Sequence, residues 1–404
     1  MADTGVHDAQ RLKELQALPL DRKIQITQTR IIEWYQRYKG QVYVSFSGGK
    51  DSTILLHIAR QIYPDIPAAF SNTGLEFAEI QRFVRTWDNV DIITPKMRFD
   101  RVVTEYGYPL ISKTVAEAIY SSRRPPRARS KSSNVERETE RDPETAYIWS
   151  QYTYYGRKRV NGEYEPQGRK AGVDDGSLRP SPYNAAKWKP LVYTPFRISH
   201  WCCAKMKKQP FHAYEKETGR KVMTAVLAEE SYIRRTSWIK TGCNAFDGKR
   251  PHSNPMAFWT EQDVLRYIVD YQLPIADVYG DIVTEDKDGN QYPATSLLTE
   301  QQCRLKCTGR DRTGCTFCCF GIHADHGRRL RLFASYEPRK YEYAMGGGQW
   351  VDNPDYDPAM PEKDGDWVNW NPKKIWIPSK QGLGLRFVLD TINDIYGKDF
   401  IRYE

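Results

Sequence analysis

The sequence has no run of about 18 apolar residues, so it offers no candidate membrane-spanning helix. Residues 1–16 are polar and lack an apolar signal core, and the expectation is a cytoplasmic protein. Cysteine is scarce: eight in 404 residues are too few for a disulfide scaffold. In a reducing compartment, clustered cysteines point instead to metal or redox chemistry. A Walker phosphate loop is missing, because no four-residue spacer precedes a Gly-Lys-Ser/Thr triplet. An excess of acid is missing too. The formal charge of +9 fits an anionic ligand, from nucleotide to nucleic acid, although a basic surface also serves solubility alone. Aromatics are plentiful, with 11 Trp and 26 Tyr, which argues against a largely disordered chain. The length suffices for one large domain or two smaller ones.

The most informative stretch is residues 42–52, Val-Tyr-Val-Ser-Phe-Ser-Gly-Gly-Lys-Asp-Ser. Its first half is β-branched and aromatic, the composition of a buried strand. Ser47, Gly48 and Gly49 break that strand, and Ile54, Leu55, Ile58, Ala59 and Ile62 then recur at helical spacing until Pro64. A strand, a glycine turn and a helix N-terminus suit phosphate. The first helical N–H groups lack intrahelical partners, the helix dipole adds positive charge, and glycines let the backbone approach an anion. Lys50 adds a cation, Ser45, Ser47 and Ser52 add hydroxyls, and Asp51 is placed to orient a metal or the nucleotide. An ordinary Gly-Gly turn is the plainer reading of the two glycines taken alone.

Upstream, Asp21 is placed to cap a helix running to about Tyr38. Downstream, residues 67–71 and 90–93 read as two further strands, with a helix between them carrying Ile80, Phe83, Val84 and Trp87. Strands alternating with helices predict right-handed crossovers and an α/β fold, a Rossmann-like doubly wound parallel sheet. Ligands in such sheets bind beyond the carboxyl ends of the strands, where Gly48, Asn72, Thr73 and Gly74 fall. Residues 105–119 read as helical after Pro109. Residues 121–141 carry seven arginines and lysines and almost no apolar residues, either a polyanion-binding arm for nucleic acid or a solvated insertion. Residues 145–187 hold Tyr147, Trp149, Tyr152, Tyr154, Tyr155 and Tyr164, consistent with a hairpin or a small aromatic lid. Residues 221–227 read as another buried strand, Thr260 as the cap of a helix with acids in its first turn, and residues 280–312 as a long loop. The expected division is therefore 1–120, an N-terminal helix and nucleotide-binding half; 121–187, an insertion; 188–330, a second α/β half with the cysteine cluster; and 331–404, an aromatic extension and helix.

Five cysteines lie within residues 303–319. Cys315 and Cys318, two residues apart after a glycine, form a common metal hook. Two more ligands would come from Cys202 with Cys203, or from Cys303 with Cys307, the latter giving a compact zinc knuckle. Adjacent cysteines diverge and suit one ion poorly, whereas a cubane iron–sulfur cluster presents several iron corners. Several buried free thiols are the plainer reading.

The string at residues 47–52 resembles the PP-loop of the ATP pyrophosphatase superfamily, which includes the sulfonucleotide (PAPS and APS) reductases and several sulfurtransferases. Asn72-Thr73-Gly74 is similar to a reductase segment beside the nucleotide. Cys202, Cys203, Lys207, Pro210, Cys315 and Cys318 look like the iron–sulfur signature of APS reductases, as do Trp259, Thr260, Asp263 and Val264. The resemblance implies an adenine nucleotide (ATP, APS or PAPS, with Mg as an accompanying ion) held by residues 47–52, Asn72, Thr73, Gly74 and Arg234. It implies a [4Fe-4S] cluster on Cys202, Cys203, Cys315 and Cys318, and a metal-binding C-terminal region. Lys50, Asp51, Lys207 and Glu230 are the implied catalytic residues, with Lys207 offsetting the cluster's charge. The chain departs from the family where Ala225 and Leu227 replace a glycine and an arginine, where Met206 replaces an arginine, and where no cysteine follows Cys319. The nucleophilic sulfur is then expected from a donor protein or from Cys243 or Cys319. The alternatives are an ATP-dependent sulfurtransferase thiolating nucleic acid, and a zinc-stabilised nucleotide-binding module.

Overall fold

The computed structural model describes residues 7–123, 157–160, 163–166, 185–248, 250–294, 303–359, 363–364, 367–368 and 370–403. Most of the basic 121–141 segment and most of the aromatic 145–187 segment lie outside them. The chain forms two compact units, Met1–Lys96 with Met206–Thr316, and Met97–Lys205 with Phe317–Glu404.

The first unit is built on a six-stranded sheet. Its order is Val90–Ile93, Ala68–Ser71, Val42–Ser45, Lys221–Met223, His252–Ser253 and Asn244–Ala245, all parallel except the last pair. The Val42–Ser45 strand is central because Val42, Tyr43 and Val44 are wholly buried. From it the chain first steps outward to one side, through Ala68–Ser71 and Val90–Ile93. It later returns to fill the other side with Lys221–Met223. That reversal is the switch point at which open α/β sheets leave a crevice beyond their carboxyl ends. The helix Lys50–Ile62 buries Ile54, Leu55, Ile58 and Ala59, the stripe that the sequence spacing predicts. The expected α/β class with a mostly parallel central sheet is therefore present.

The helix Glu261–Asp270 packs Val264, Leu265 and Ile268 inward and opens on a full capping box between Thr260 and Asp263, as its sequence foretells. Asp263 also receives the buried Lys23 amine at 2.6 Å. Removing one partner of a buried pair of this kind typically costs about 3–5 kcal/mol, since the other charge is left unpaired.

Three local expectations are corrected and one is met. The helix Leu20–Arg37 starts after Pro19, with Asp21 in its first turn and no side-chain cap, because proline's fixed φ already sets the helix entry. The helix expected after Pro109, with Ser112 and Lys113 at its start, is present as Lys113–Ser122. Phe99–Tyr106 ends at Gly107 (φ +115°), where a Cβ would meet the Arg197 backbone at 2.4 Å. Leu110–Ile111 is then a short strand, and the next helix is Lys113–Ser122. The strand at 221 stops at Met223. Residues 280–312 hold an antiparallel sheet of Ile282–Asp286 between Gln291–Pro293 and Cys303–Cys307.

In the second unit, Leu110–Ile111 pairs in parallel with Cys319–Phe320, and Gln349–Asp352 pairs antiparallel with Lys374–Ile377. Arg157–Val160 and Glu163–Pro166 form an antiparallel hairpin within the otherwise undescribed insertion. Arg123 gathers the carbonyls of Leu191, Val192, Thr194 and Phe196 and lies 4.7 Å from the Trp370 ring. Burial pulls its guanidinium down to about 9. This arginine, the first residues of the basic segment behind it, is a structural staple.

Candidate functional site

The crevice of the first unit begins where the central strand ends. Gly48 takes φ +71°, and a Cβ there would lie 2.8 Å from Val84 Cγ2 and 2.9 Å from Ile80 Cγ2. A Cβ on Gly49 would crowd Ser47 Oγ at 3.2 Å and the Tyr279 hydroxyl at 3.3 Å. Gly48 is thus required both by space and by conformation, while a side chain on Gly49 would crowd two hydroxyls. Gly49 caps the helix with no side chain of its own. Hydroxyls serve the loop amides instead. Ser47 N–H donates to Ser52 Oγ (3.1 Å), Gly49 N–H to Ser47 Oγ (3.3 Å), and Lys50 N–H to the Tyr279 hydroxyl (3.4 Å), which is 2.7 Å from Thr313 Oγ1. Amides held by small, exchangeable hydroxyl partners at a helix N-terminus are suited to receive the oxygens of an anion.

Lys50 is only 4 % exposed. Its amine donates to Glu261 at 2.5 Å and lies 3.8 Å from Cys307 Sγ. Asp51, next along, has a buried Oδ1 with no hydrogen-bond partner. Its carboxyl is pushed up to about 6, chiefly by burial and then by the Glu261 charge, with Lys50, Arg312 and Arg234 opposing. Glu230 pairs with Arg234 and, at 3.5 Å, with Arg312. Ser231 caps the helix that carries Arg234 by accepting from its N–H at 3.3 Å. Glu229 accepts from the Glu261 N–H at 2.5 Å. The loop, the Glu230 turn and the start of the Glu261 helix therefore place three cations and four carboxylates around one group of loop amides.

The second strand end carries a separate cluster. Thr73 is buried and gives its N–H (3.0 Å) and hydroxyl (2.7 Å) to the Glu76 carboxylate. Glu76 pairs with Lys207 at 3.6 Å. The Gly74 N–H donates to Asn72 Oδ1 (3.3 Å), and the Leu75 carbonyl accepts from the N–H (2.8 Å) and hydroxyl (3.0 Å) of Thr316. Lys207 thus meets a carboxylate on the Asn72-Thr73-Gly74 turn. Ser45, half-buried at the end of the central strand, is in register with Ala69.

The four cysteines expected to hold a cluster are divided between the two units. Cys202, Cys203 and Cys318 belong to the second unit and Cys315 to the first. Cys202 and Cys203 open the turn that runs into the wide π-helix Ala204–Lys208, and Cys202 is buried. Thiolates are the donors that iron–sulfur clusters take. Yet among the described residues no three His, Cys, Asp or Glu side chains are grouped as a metal site, so no chemical step is derived through a cluster. The zinc-knuckle alternative is corrected on geometry. Cys303 and Cys307 sit at opposite ends of one strand, four residues and about 13 Å apart, too far to share an ion. Cys319 is buried in the second unit, its thiol directed to the Phe317 carbonyl at 3.7 Å. Cys243 precedes the edge strand Asn244–Ala245, three strands or about 14 Å from the central one. Cys243 is not placed by the loop.

Sequence reasoning missed Glu261, Cys307, Arg312 and Thr313 as neighbours of the loop, and gave Tyr279 no role. Glu261 carried one signal, its place in the first turn of a well-capped helix. Cys307 carried none, because the strand that presents it read as loop.

No helix among the described residues is long and apolar enough to cross a membrane. No curated protein matches this sequence. A solved structure of phosphoadenylyl-sulfate (PAPS) reductase from Candida auris, a phosphate complex, aligns at 12 % identity over 67 % of this chain and 90 % of that one. Its TM-score of 0.28 is too low to bear on fold or site. The model of the phosphoadenosine phosphosulfate reductase domain matches residues 41–106, which hold the central strand, the glycine turn, the Lys50 helix and the Asn72-Thr73-Gly74 turn. That segment of the chain is similar to the phosphoadenosine phosphosulfate reductase domain.

Proposed function

We propose that the chain is an enzyme of sulfur metabolism that binds a sulfonucleotide, APS or PAPS, in the first unit. The Gly48 and Gly49 amides receive the phosphate-borne oxygens, Lys50 stabilises their charge, and Arg234 and Arg312 lie in reach of the same anion. The observation that carries the reading is the loop itself: a Gly48 turn that no side chain can enter, amides of Ser47, Gly49 and Lys50 paired with hydroxyls, and a buried lysine among them. Asn72, Thr73 and Gly74 line the neighbouring strand end, with Lys207 held there through Glu76. Lys50, Asp51, Glu230 and Lys207 are the groups available for proton and charge handling.

The experiment is calorimetric titration with APS, PAPS and ATP. Binding of a phosphosulfate nucleotide is expected, with Lys50→Ala losing about 1.5–3 kcal/mol of affinity, the worth of a hydrogen bond to a charged group. Unchanged affinity in that variant refutes the assignment of the loop. Turnover of ATP to pyrophosphate, without turnover of phosphosulfate, would turn the reading to the ATP-dependent sulfurtransferase. A [4Fe-4S] cluster on Cys202, Cys203, Cys315 and Cys318 is the finer form of the proposal and rests on the donor set alone. Iron and sulfide analysis after anaerobic purification decides it.

A further inference from the structure

The first unit carries a row of cations that the nucleotide reading does not use. The helix Gln209–Thr218 follows the turn Ala204–Lys208 and returns the chain to the parallel strand Lys221–Met223, so it starts at the carboxyl ends of the strands. Lys207, just before it, meets Glu76 at the second strand end. From there Lys208, His212 and Lys216 recur every four residues and share one face of the helix. Both lysines are exposed and His212 is half-buried. Arg250, exposed ahead of the strand His252–Ser253, donates from Nη1 to His212 Nε2 at 2.7 Å.

The acids of this helix do not answer the row. Glu215 accepts from the Tyr43 hydroxyl at 3.0 Å, toward the sheet, and Glu217 lies about 140° round the helix from His212. Burial lowers the His212 pKa, and Arg250 and Lys208 push it lower still, against Glu215. Like charges gathered in this way repel one another, and an anion relieves that repulsion. The row is about 12 Å long, eight residues at 1.5 Å each, so its ends do not converge on one phosphate. A chain of phosphates spans it. An acidic protein fits less well. Protein interfaces carry apolar and aromatic side chains at their centre, whereas the exposed neighbours here are Gln209 and Ala213. Among the described residues, the exposed large apolar side chains of this unit (Ile92, Tyr232, Ile233, Tyr271 and Tyr292) lie on other elements. With no exposed ring on the helix, nothing is offered for a base to stack on.

We propose that the Lys208–His212–Lys216 face, with Arg250, binds nucleic acid by its phosphate backbone without reading its sequence. The two ammonium groups and the guanidinium each neutralise a phosphate, contacts that position a polynucleotide but carry no base information. The row begins beside Lys207, so a polynucleotide laid along it reaches the β-strand ends where Asn72, Thr73 and Gly74 lie. The surface uses none of the residues at 121–141, and it does not depend on what the glycine loop binds.

The test is fluorescence anisotropy of a short labelled DNA duplex titrated with the full chain at salt concentrations from about 50 to 200 mM. Each phosphate neutralised contributes about −0.9 to the slope of log affinity against log salt. The three cations therefore supply about −2.7, and a chain with both Lys208→Gln and Lys216→Gln should show a slope shallower by about 1.8, whatever its other cations add. Over that fourfold range, salt then weakens the wild type about 12-fold more than the variant. Duplexes of unrelated sequence should bind alike. A slope unchanged in the double variant, no duplex binding by the wild type, or a strong preference for one sequence overturns the proposal. So does polyglutamate that displaces the duplex at equal charge, which would assign the face to an acidic protein. The single variants, each expected to lose about 0.9 of slope, serve if the double variant fails to fold. Calorimetric titration of the same chains with APS and PAPS reads the loop separately, so either reading can fail without the other.

Discussion

Asp51→Asn isolates the electrostatics of the loop. In the folded chain the Asp51 carboxyl lies at about 6 against an ordinary 3.8, first because it is buried and second because Glu261 repels its charge. The difference, 6 minus 3.8, is roughly two units, or ~3 kcal/mol at 1.36 kcal/mol per unit. The sign follows from proton counting. Below pH 4 the folded and unfolded chains both hold this proton. Between about 4 and 6 the folded chain holds more of it than the unfolded one, so stability falls as pH rises through this window and levels off above it. Asparagine carries no charge and removes the whole effect. Urea unfolding of both proteins across pH 4 to 8 is the assay, read as the difference between them, which cancels every other titrating group. The variant should gain on wild type from pH 4 to 6, by about 3 kcal/mol at most, and hold that lead to pH 8. Parallel curves would refute the argument, showing that Lys50, Arg312 and Arg234 neutralise the carboxylate fully. A lead that shrinks with rising pH would refute its sign.

Gly48→Ala forces a side chain into the left-handed region and against Val84 and Ile80. Together these cost about 2–5 kcal/mol, from strain of ~1–2 and overpacking of ~1–3. Urea unfolding measures it, and an unchanged midpoint would show that the turn relaxes. Glu261→Gln removes the carboxylate that now competes with any anion for the Lys50 amine. Because Glu261 is more than a third exposed, the gain is held to about 1 kcal/mol, or roughly fivefold tighter nucleotide binding by calorimetry. Weaker binding in that variant would mean that Glu261 positions Lys50 rather than occupying it.

The parts of the fold that were legible are those where one local rule decides. Apolar spacing from Ile54 to Ile62 has one outcome, a helix packed on the sheet. The Thr260–Asp263 box has one outcome, a helix start. The loop was legible because two adjacent glycines after a buried strand leave few alternatives, and the space and positive φ at Gly48 show why no other residue fits there. What failed was short and paired at a distance. The strand at 221 ends at Met223 although Ala225, Val226 and Leu227 remain apolar, because its central partner ends its pairing at Val44. The antiparallel sheet at 282–307 is polar enough to pass for loop. Its strands are joined through Thr284 and Leu305, inward residues that alternate with Lys, Arg and Glu. Register across such a sheet comes from the partner strand, which no local window contains.

The same limit explains how Cys307, whose surroundings were unreadable, went unplaced beside the loop. Glu261, Gln262 and Asp263 are consecutive, and each reaches a different element. Glu261 takes the loop amine, Gln262 clamps the strand that ends in Cys307, and Asp263 closes the helix cap and takes the buried Lys23. In sequence they read only as acids and a glutamine in a helix's first turn, which the dipole alone would justify. In the fold they join the helix Leu20–Arg37, the phosphate loop and the antiparallel sheet at a single turn. The capping box fixes that turn, and Lys23 anchors it from the side opposite the loop. The 3.8 Å between amine and thiol is therefore set by the rigidity of a helix start rather than by the loop that bears the lysine. A thiol placed in this way keeps its position whether or not the loop's hydroxyls have yet given up their amides to a ligand.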